Sequence, residues 1–186
     1  MSYSEQLDAI AEHTADNAGM LLAALDAGEI DADTFVELAS VLVLLGAAQG
    51  YRLAQLSLTA QLVRLGVPDP FPSRLPELDA AAREPAVRRQ LRAALDADSP
   101  PERVRMAARS ETIAGAQDGY ERALPRARGA ITGWTRGLNF GACELCTWWS
   151  RNGRKFPPDH TMPTHKGCLC APVLVAGGPA ARPVSQ

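Results

Sequence analysis

Cysteine is missing from the chain before Cys143, and histidine nearly so, with His13 alone. Any site built on thiolates or imidazoles must therefore lie in the last quarter of the chain. Lysine is scarce as well, two against seventeen arginines. No apolar run reaches the roughly 20 residues that a membrane-spanning helix requires. The uncharged stretch between Glu37 and Arg52 is shorter than that, and Ser40 and Gln49 fall within it. The N-terminus, Met1-Ser-Tyr-Ser-Glu-Gln-Leu-Asp8, lacks the basic then apolar layout of a secretory signal, so the chain is expected to work in a reducing compartment and without a membrane.

Charge is near balance, with a net of −2, but unevenly placed. Residues 1–100 hold seven arginines against fifteen Asp and Glu, a net of −8, whereas residues 101–186 carry a net of +6. Such polarity suits a chain that turns its C-terminal half towards an acidic partner, or a plainly solvated basic face.

What is there is concentrated. All four cysteines and two of the histidines fall between Cys143 and Cys170: Cys143-Glu-Leu-Cys146, His160, His165, Cys168 and Cys170. A CxxC pair sets two sulfurs about a turn apart, and the HxxCxC that follows a loop returns further donors to the same place. Sulfur and imidazole without carboxylates select zinc over magnesium or calcium. Two disulfides, or four simple thiols, are the competing reading. A closed zinc site takes four ligands, and the favoured set is Cys143, Cys146 and Cys168 with either His165 or Cys170. His160, after Pro157-Pro-Asp159, belongs to an exposed turn and is the poorest ligand.

The order of pieces from Arg109 to Val175 resembles the C-terminal part of the phage Mu F-like head morphogenesis family. The pieces are Arg109-Ser-Glu-Thr112 on a helix, Trp134 before the CxxC, Gly153-Arg-Lys-Phe156, and the closing His165-Lys-Gly-Cys168-Leu-Cys170. The resemblance covers only this C-terminal part of the chain. It departs at Lys166-Gly167, where the family has Pro-Asn, and at Leu169, where it has arginine. The resemblance implies a minor capsid protein in the capsid interior near the portal, made in the host cytoplasm, assisting head assembly and DNA packaging or delivery. Its implied partners are the portal or major capsid protein, with packaged DNA as a further contact, and several copies per particle. Arg151, Arg154, Lys155 and Lys166 are the candidate nucleic-acid contacts.

The rest reads mainly as helix. Ser2-x-x-Glu5 offers a capping box and Gly28 a stop. A second helix starts near Asp31, with Thr34-x-x-Glu37 as another box, and runs to Leu65, about 45 Å at 1.5 Å per residue. Its middle, Val41 to Ala48, is apolar all round, which calls for burial by other helices or another subunit. Four prolines between Gly66 and Pro76 make a linker. A short helix covers Glu84–Leu95 with Pro85 in its first turn. Ser99-Pro-Pro-Glu102 opens a helix to Leu124, stopped by Pro125, with Val104, Ala107, Ala108, Ile113, Ala116, Tyr120 and Leu124 inward. Arg109 is expected to make an ion pair or to touch the zinc module.

After Gly129 the pattern turns to β at Ala130–Arg136 and Leu169–Val175, with Lys155-Phe156 as a third strand. The expected fold is mainly α: an elongated helical body and a small C-terminal α+β module stapled by one structural zinc ion. Its divisions are 1–65 as an N-terminal helical hairpin, 66–98 as linker and short helix, 99–176 as the long helix with the zinc module, and 177–186 as a tail. So small a sheet lacks a sufficient core of its own, so metal would contribute folding free energy. Trp134, Trp148, Trp149 and Phe156 are expected to pack over the site.

Two other functions compete with a structural head protein. A DNA-binding zinc module would use the basic residues. An HNH-like nuclease would use Asp159-His160 beside the CxxC, but the stretch from Ala171 to Gln186 contains no His or Asn to complete such a site.

Overall fold

The computed structural model describes residues 1–67, 70, 75–127 and 129–177. It is mainly helical, with a two-stranded sheet near the C-terminus and the cysteines and histidine close to the strands. In chain order the described elements are α1 (Tyr3–Asp26), α2 (Ala32–Arg64), α3 (Ala80–Leu95), α4 (Pro100–Ala123), a 3-10 turn (Leu124–Ala127), β1 (Ile131–Gly137), α5 (Glu144–Ser150) and β2 (Ala171–Ala176). Much of the proline linker and the tail beyond Gly177 lie outside the described residues.

Helix starts follow local chemistry. Ser2 and Glu5 form the reciprocal capping box, which satisfies two amides at the head of α1. Gly28, at φ 73°, takes the left-handed conformation that ends it. For α2 the cap is Asp31, whose carboxylate accepts the Thr34 amide at 2.7 Å, and not the box expected at Thr34 and Glu37. Asp31 sits one residue before the first helical position, where a side-chain oxygen can reach that amide. Helix α3 begins earlier than expected, at Ala80, because Asp79 caps Ala82, so Pro85 lies inside it. Proline is tolerated there at the cost of one hydrogen bond, to the carbonyl of Ala81.

The chain forms two compact units. The first consists mainly of residues 1–54 and 77–119, and its core draws on four helices. Ala15, Ala18 and Leu22 of α1 meet Phe35, Val36, Ala39 and Val43 of α2, Val87, Leu91 and Ala94 of α3, and Val104, Ala107 and Ala108 of α4. The helix read from sequence as part of a linker thus supplies a face of the core. Helix α2 is, by length and composition, long and apolar enough to cross a membrane, because its 33 unbroken residues carry the apolar stretch past Glu37 and Arg52. One face of it is buried in this core, and another leaves Leu38, Val41 and Leu45 exposed.

Where α2 and α4 cross, both carry a Gly-x-x-x-Gly spacing: Gly46 and Gly50 on one, Gly115 and Gly119 on the other. A Cβ added at Gly46 would meet the Thr14 and Thr112 hydroxyls at 2.5 and 2.7 Å, and one at Gly119 would meet the Tyr51 carbonyl at 2.5 Å. The backbones touch there, an approach only glycine permits. Charge pairs line the outer faces. Arg109 pairs with Asp8 and Glu12, Arg105 with Glu12 and Asp16, and Arg83 with Glu111 and Asp118. The Arg109 expectation is narrowed accordingly: its ion-pair partners are carboxylates of α1, because Asp8 and Glu12 lie one helical turn apart and converge on one guanidinium.

Among the described residues, the second unit consists mainly of 55–67, 120–127, 129–163 and 170–177. Strands β1 and β2 pair antiparallel, Trp134 facing Leu174 and Arg136 facing Pro172. Gln61, near the end of α2, binds β2 through both ends of its amide, accepting from the Leu174 amide at 2.9 Å and donating to the Pro172 carbonyl at 3.1 Å. The expected third strand is reduced to one bridge: Trp134 and Phe156 exchange two backbone hydrogen bonds, at 2.9 and 2.7 Å.

Candidate metal centre

Cys143 is the N-cap of α5 and Cys146 its third residue, so the CxxC spacing spans the first helical turn. The Thr147 amide donates to the Cys143 carbonyl at 3.0 Å, which sets that turn. After Ser150 the backbone passes through three left-handed residues, Arg151, Asn152 and Gly153, at φ 46°, 55° and 81°. Two of these are not glycine, an uncommon arrangement. It reverses the chain sharply enough for Phe156 to return to β1.

The other donors sit on a tight turn. The Cys168 amide donates to the His165 carbonyl at 3.1 Å, with Gly167 at φ 77°. Such a turn wants glycine or asparagine at its third position and accepts proline at its second. Lys166-Gly167 meets that backbone demand. The Gln117 amide of α4 donates to the carbonyls of His165 and Cys168, at 3.4 and 3.2 Å. Nδ1 of His165 lies 3.0 Å from the Lys166 carbonyl, which can only accept, so Nδ1 is the donor in that contact.

No disulfide joins the four cysteines. The ligand atoms of Cys143, Cys146 and His165 lie within 4.8 Å of one another, and so do the sulfurs of Cys146, Cys168 and Cys170. Cys146 belongs to both groups. Sulfurs around a tetrahedral ion with bonds of about 2.3 Å stand about 3.8 Å apart, which lies inside that 4.8 Å limit. Cys146, Cys168 and Cys170 are buried, whereas Cys143 is exposed. The five residues can hold a metal ion. Comparison with protein-family models, with curated proteins and with solved structures found no match.

Neighbouring side chains surround the sulfurs. Arg136, buried in β1, donates through Nη1 to Cys146 Sγ at 3.6 Å and through Nη2 to the Pro163 carbonyl, and lies 5.2 Å from the Trp149 ring centre. Asn139 lies 3.0 Å from Cys170 Sγ. His160 is in neither group of donors. Its ring stacks on Phe156 at 4.9 Å, which stacks on Trp134 at 4.7 Å, and the Trp134 indole donates to the His160 carbonyl.

The four aromatics expected over the site divide. Trp134 and Phe156 are buried, but Trp148 is 63% exposed and lies under the Arg151 guanidinium at 5.4 Å. Leu145, one turn before Trp148 on α5, shares its exposure, so one face of this short helix is left to solvent. Arg151, Arg154, Lys155 and Lys166, the candidate nucleic-acid contacts, are all exposed. Sequence reasoning did not single out Arg136 or Gln117. Arginine amid the apolar alternation of β1, between Thr135 and Gly137, was the available signal.

Proposed function

We propose that the chain is a phage minor head protein whose C-terminal module is held by one structural zinc ion. It acts as a structural part in the capsid interior near the portal, present in several copies, after assembly in the host cytoplasm. Its partners are the portal or major capsid protein, and its role is to assist head assembly and DNA packaging or delivery, without catalysis and without a membrane. One observation carries the reading: the donors that close the resemblance to the Mu F-like family, Cys143, Cys146, His165, Cys168 and Cys170, draw together around Cys146. Thiolate and imidazole donors without a carboxylate favour zinc. The exposed apolar face of α2, Leu38, Val41 and Leu45, supports a protein that works by contact with other subunits.

Two measurements test this. Elemental analysis of chain purified without chelator should find about one equivalent of zinc, and co-expression with portal and capsid proteins should incorporate the chain into heads. A chain that is metal-free yet fully folded, or that never enters heads, overturns the proposal.

Exposed Trp148 under Arg151, with Arg154 and Lys155 nearby in sequence, favours DNA binding as the second reading. Aromatic faces and cations serve single strands, and such affinity falls steeply with salt. For the nuclease reading, metal-dependent cleavage abolished by His160→Ala would be the required result.

A further inference from the structure

Arg136 is only 4% exposed. A buried guanidinium is costly unless an anion and hydrogen-bond acceptors accompany it. The acceptors it meets include the Pro163 carbonyl, which is neutral, and the sulfur of Cys146, while the face of Trp149 adds a weaker attraction. A neutral thiol is a poor acceptor, whereas a metal-bound thiolate is a charged one. The sulfur in question belongs to the residue common to both donor groups.

Charge balance points the same way. A divalent ion with three thiolates and an imidazole carries a net −1, and with four thiolates a net −2. Burying either excess needs a cation close by. The same guanidinium also donates to the Pro163 carbonyl, which fixes its own position beside Cys146.

Resting on the zinc reading, we infer that Arg136 is the counter-ion and positioning residue of the metal centre. It offsets the negative charge on Cys146 and holds that cysteine of the CxxC in place beside β1. Arg136 holds this role with either His165 or Cys170 as fourth ligand.

The test compares the full chain with Arg136→Met, which keeps bulk and removes charge, and Arg136→Lys, which keeps charge. Zinc affinity is read by competition with a chromophoric chelator, and the thiolate-to-metal absorption band is read after loading with cobalt. Outer-shell partners typically contribute about 10- to 100-fold in metal affinity. Arg136→Met should weaken zinc by that factor and move the cobalt band to lower energy, because a thiolate without its cation gives up electrons more readily. Arg136→Lys should recover most of the affinity and the band position. A methionine variant with wild-type affinity and an unmoved band overturns the inference. If that variant does not fold with zinc present, the lysine variant decides: folded and metal-bound supports the inference, folded without metal overturns it. Wild-type chain that binds neither metal sinks the zinc reading itself, a separate result visible before any variant is made.

Discussion

The crossing of α2 and α4 permits a sharp prediction, because one chemical change should act in opposite directions at two glycines. In an exposed helix interior, Gly→Ala stabilises by about 1 kcal/mol through propensity alone. At Gly115 the added carbon would stand 2.8 Å from the Cα and carbonyl carbon of Ala47, with its oxygen closer still. Carbon atoms prefer about 3.5–4.0 Å, so the helices must part locally by about 1 Å. Overpacking commonly costs about 1–3 kcal/mol. Here the obstacle is helical backbone, which has no rotamer to change, so the upper end applies. Parting also disturbs the contacts at Gly46, Gly50 and Gly119. After the propensity gain, Gly115→Ala should lose about 2 kcal/mol net, equivalent to a Tm lowered by about 4–8 °C for a chain of this length. At Gly19 of α1 the nearest atom to an added carbon is Arg105 Nη1, at 3.8 Å. Gly19→Ala should therefore raise stability by up to about 1 kcal/mol. Urea and thermal denaturation followed by far-UV circular dichroism reads both. If the two variants shift the same way, or Gly115→Ala equals wild type, the close crossing is refuted.

Three further outcomes are expected. Cys143→Ser should lower zinc content and reduce amide protection across residues 130–177 while sparing α1 to α4, as hydrogen exchange can show. Trp134→Ala removes a fully buried indole from the stack with Phe156 and His160, and should destabilise the second unit by about 3–5 kcal/mol in chemical denaturation. Asp31 is held below the usual carboxylate range because its carboxylate accepts the Thr34 amide. Its contribution is therefore present above the ordinary carboxylate pKa and lost as pH falls through the lowered one. Protection of the Thr34 amide should decline in acid, and Asp31→Asn, which keeps an accepting oxygen, should lose that pH dependence.

Local chemistry was largely legible in the chain. The Ser2 and Glu5 box forms, and every residue assigned to the inward stripe of α4 from Val104 to Leu124 is buried. Capping and periodicity depend on residues within a turn or two, so the sequence displays them directly. Readings that needed a partner fared less well. Arg109 could have met any anion, and only the packing of α4 against α1 decides for Asp8 and Glu12. The glycine crossing was not read from the sequence, since a Gly-x-x-x-Gly spacing on one helix says nothing of which helix it meets. Lys155-Phe156 fell short of a strand because the left-handed run from Arg151 and the prolines at 157 and 158 leave room for one bridge alone. The sulfur and imidazole cluster was legible in the spacing, but the favoured trio of Cys143, Cys146 and Cys168 is not one of the two groups, each of which pairs Cys146 differently. Arg136 was not legible, since a cation in a strand is ordinarily a solvated one.

That arginine bears on how the second unit stays folded. A two-stranded sheet with one added bridge is marginal by itself, and three buried sulfurs would serve as small apolar groups if they were ordinary thiols. An ordinary thiol at Cys146 would offer the Arg136 guanidinium only a weak acceptor. The same contact becomes stronger once the sulfur is a metal-bound thiolate. On the proposed reading, metal, sulfur and guanidinium stabilise one another. Chelation should then expose residues 130–177 to exchange in one step, with α1 to α4 retained, and should do so at milder conditions in Arg136→Met than in wild type. Gradual loss, strand by strand, would show that apolar packing of Trp134 and Phe156 is sufficient without the ion.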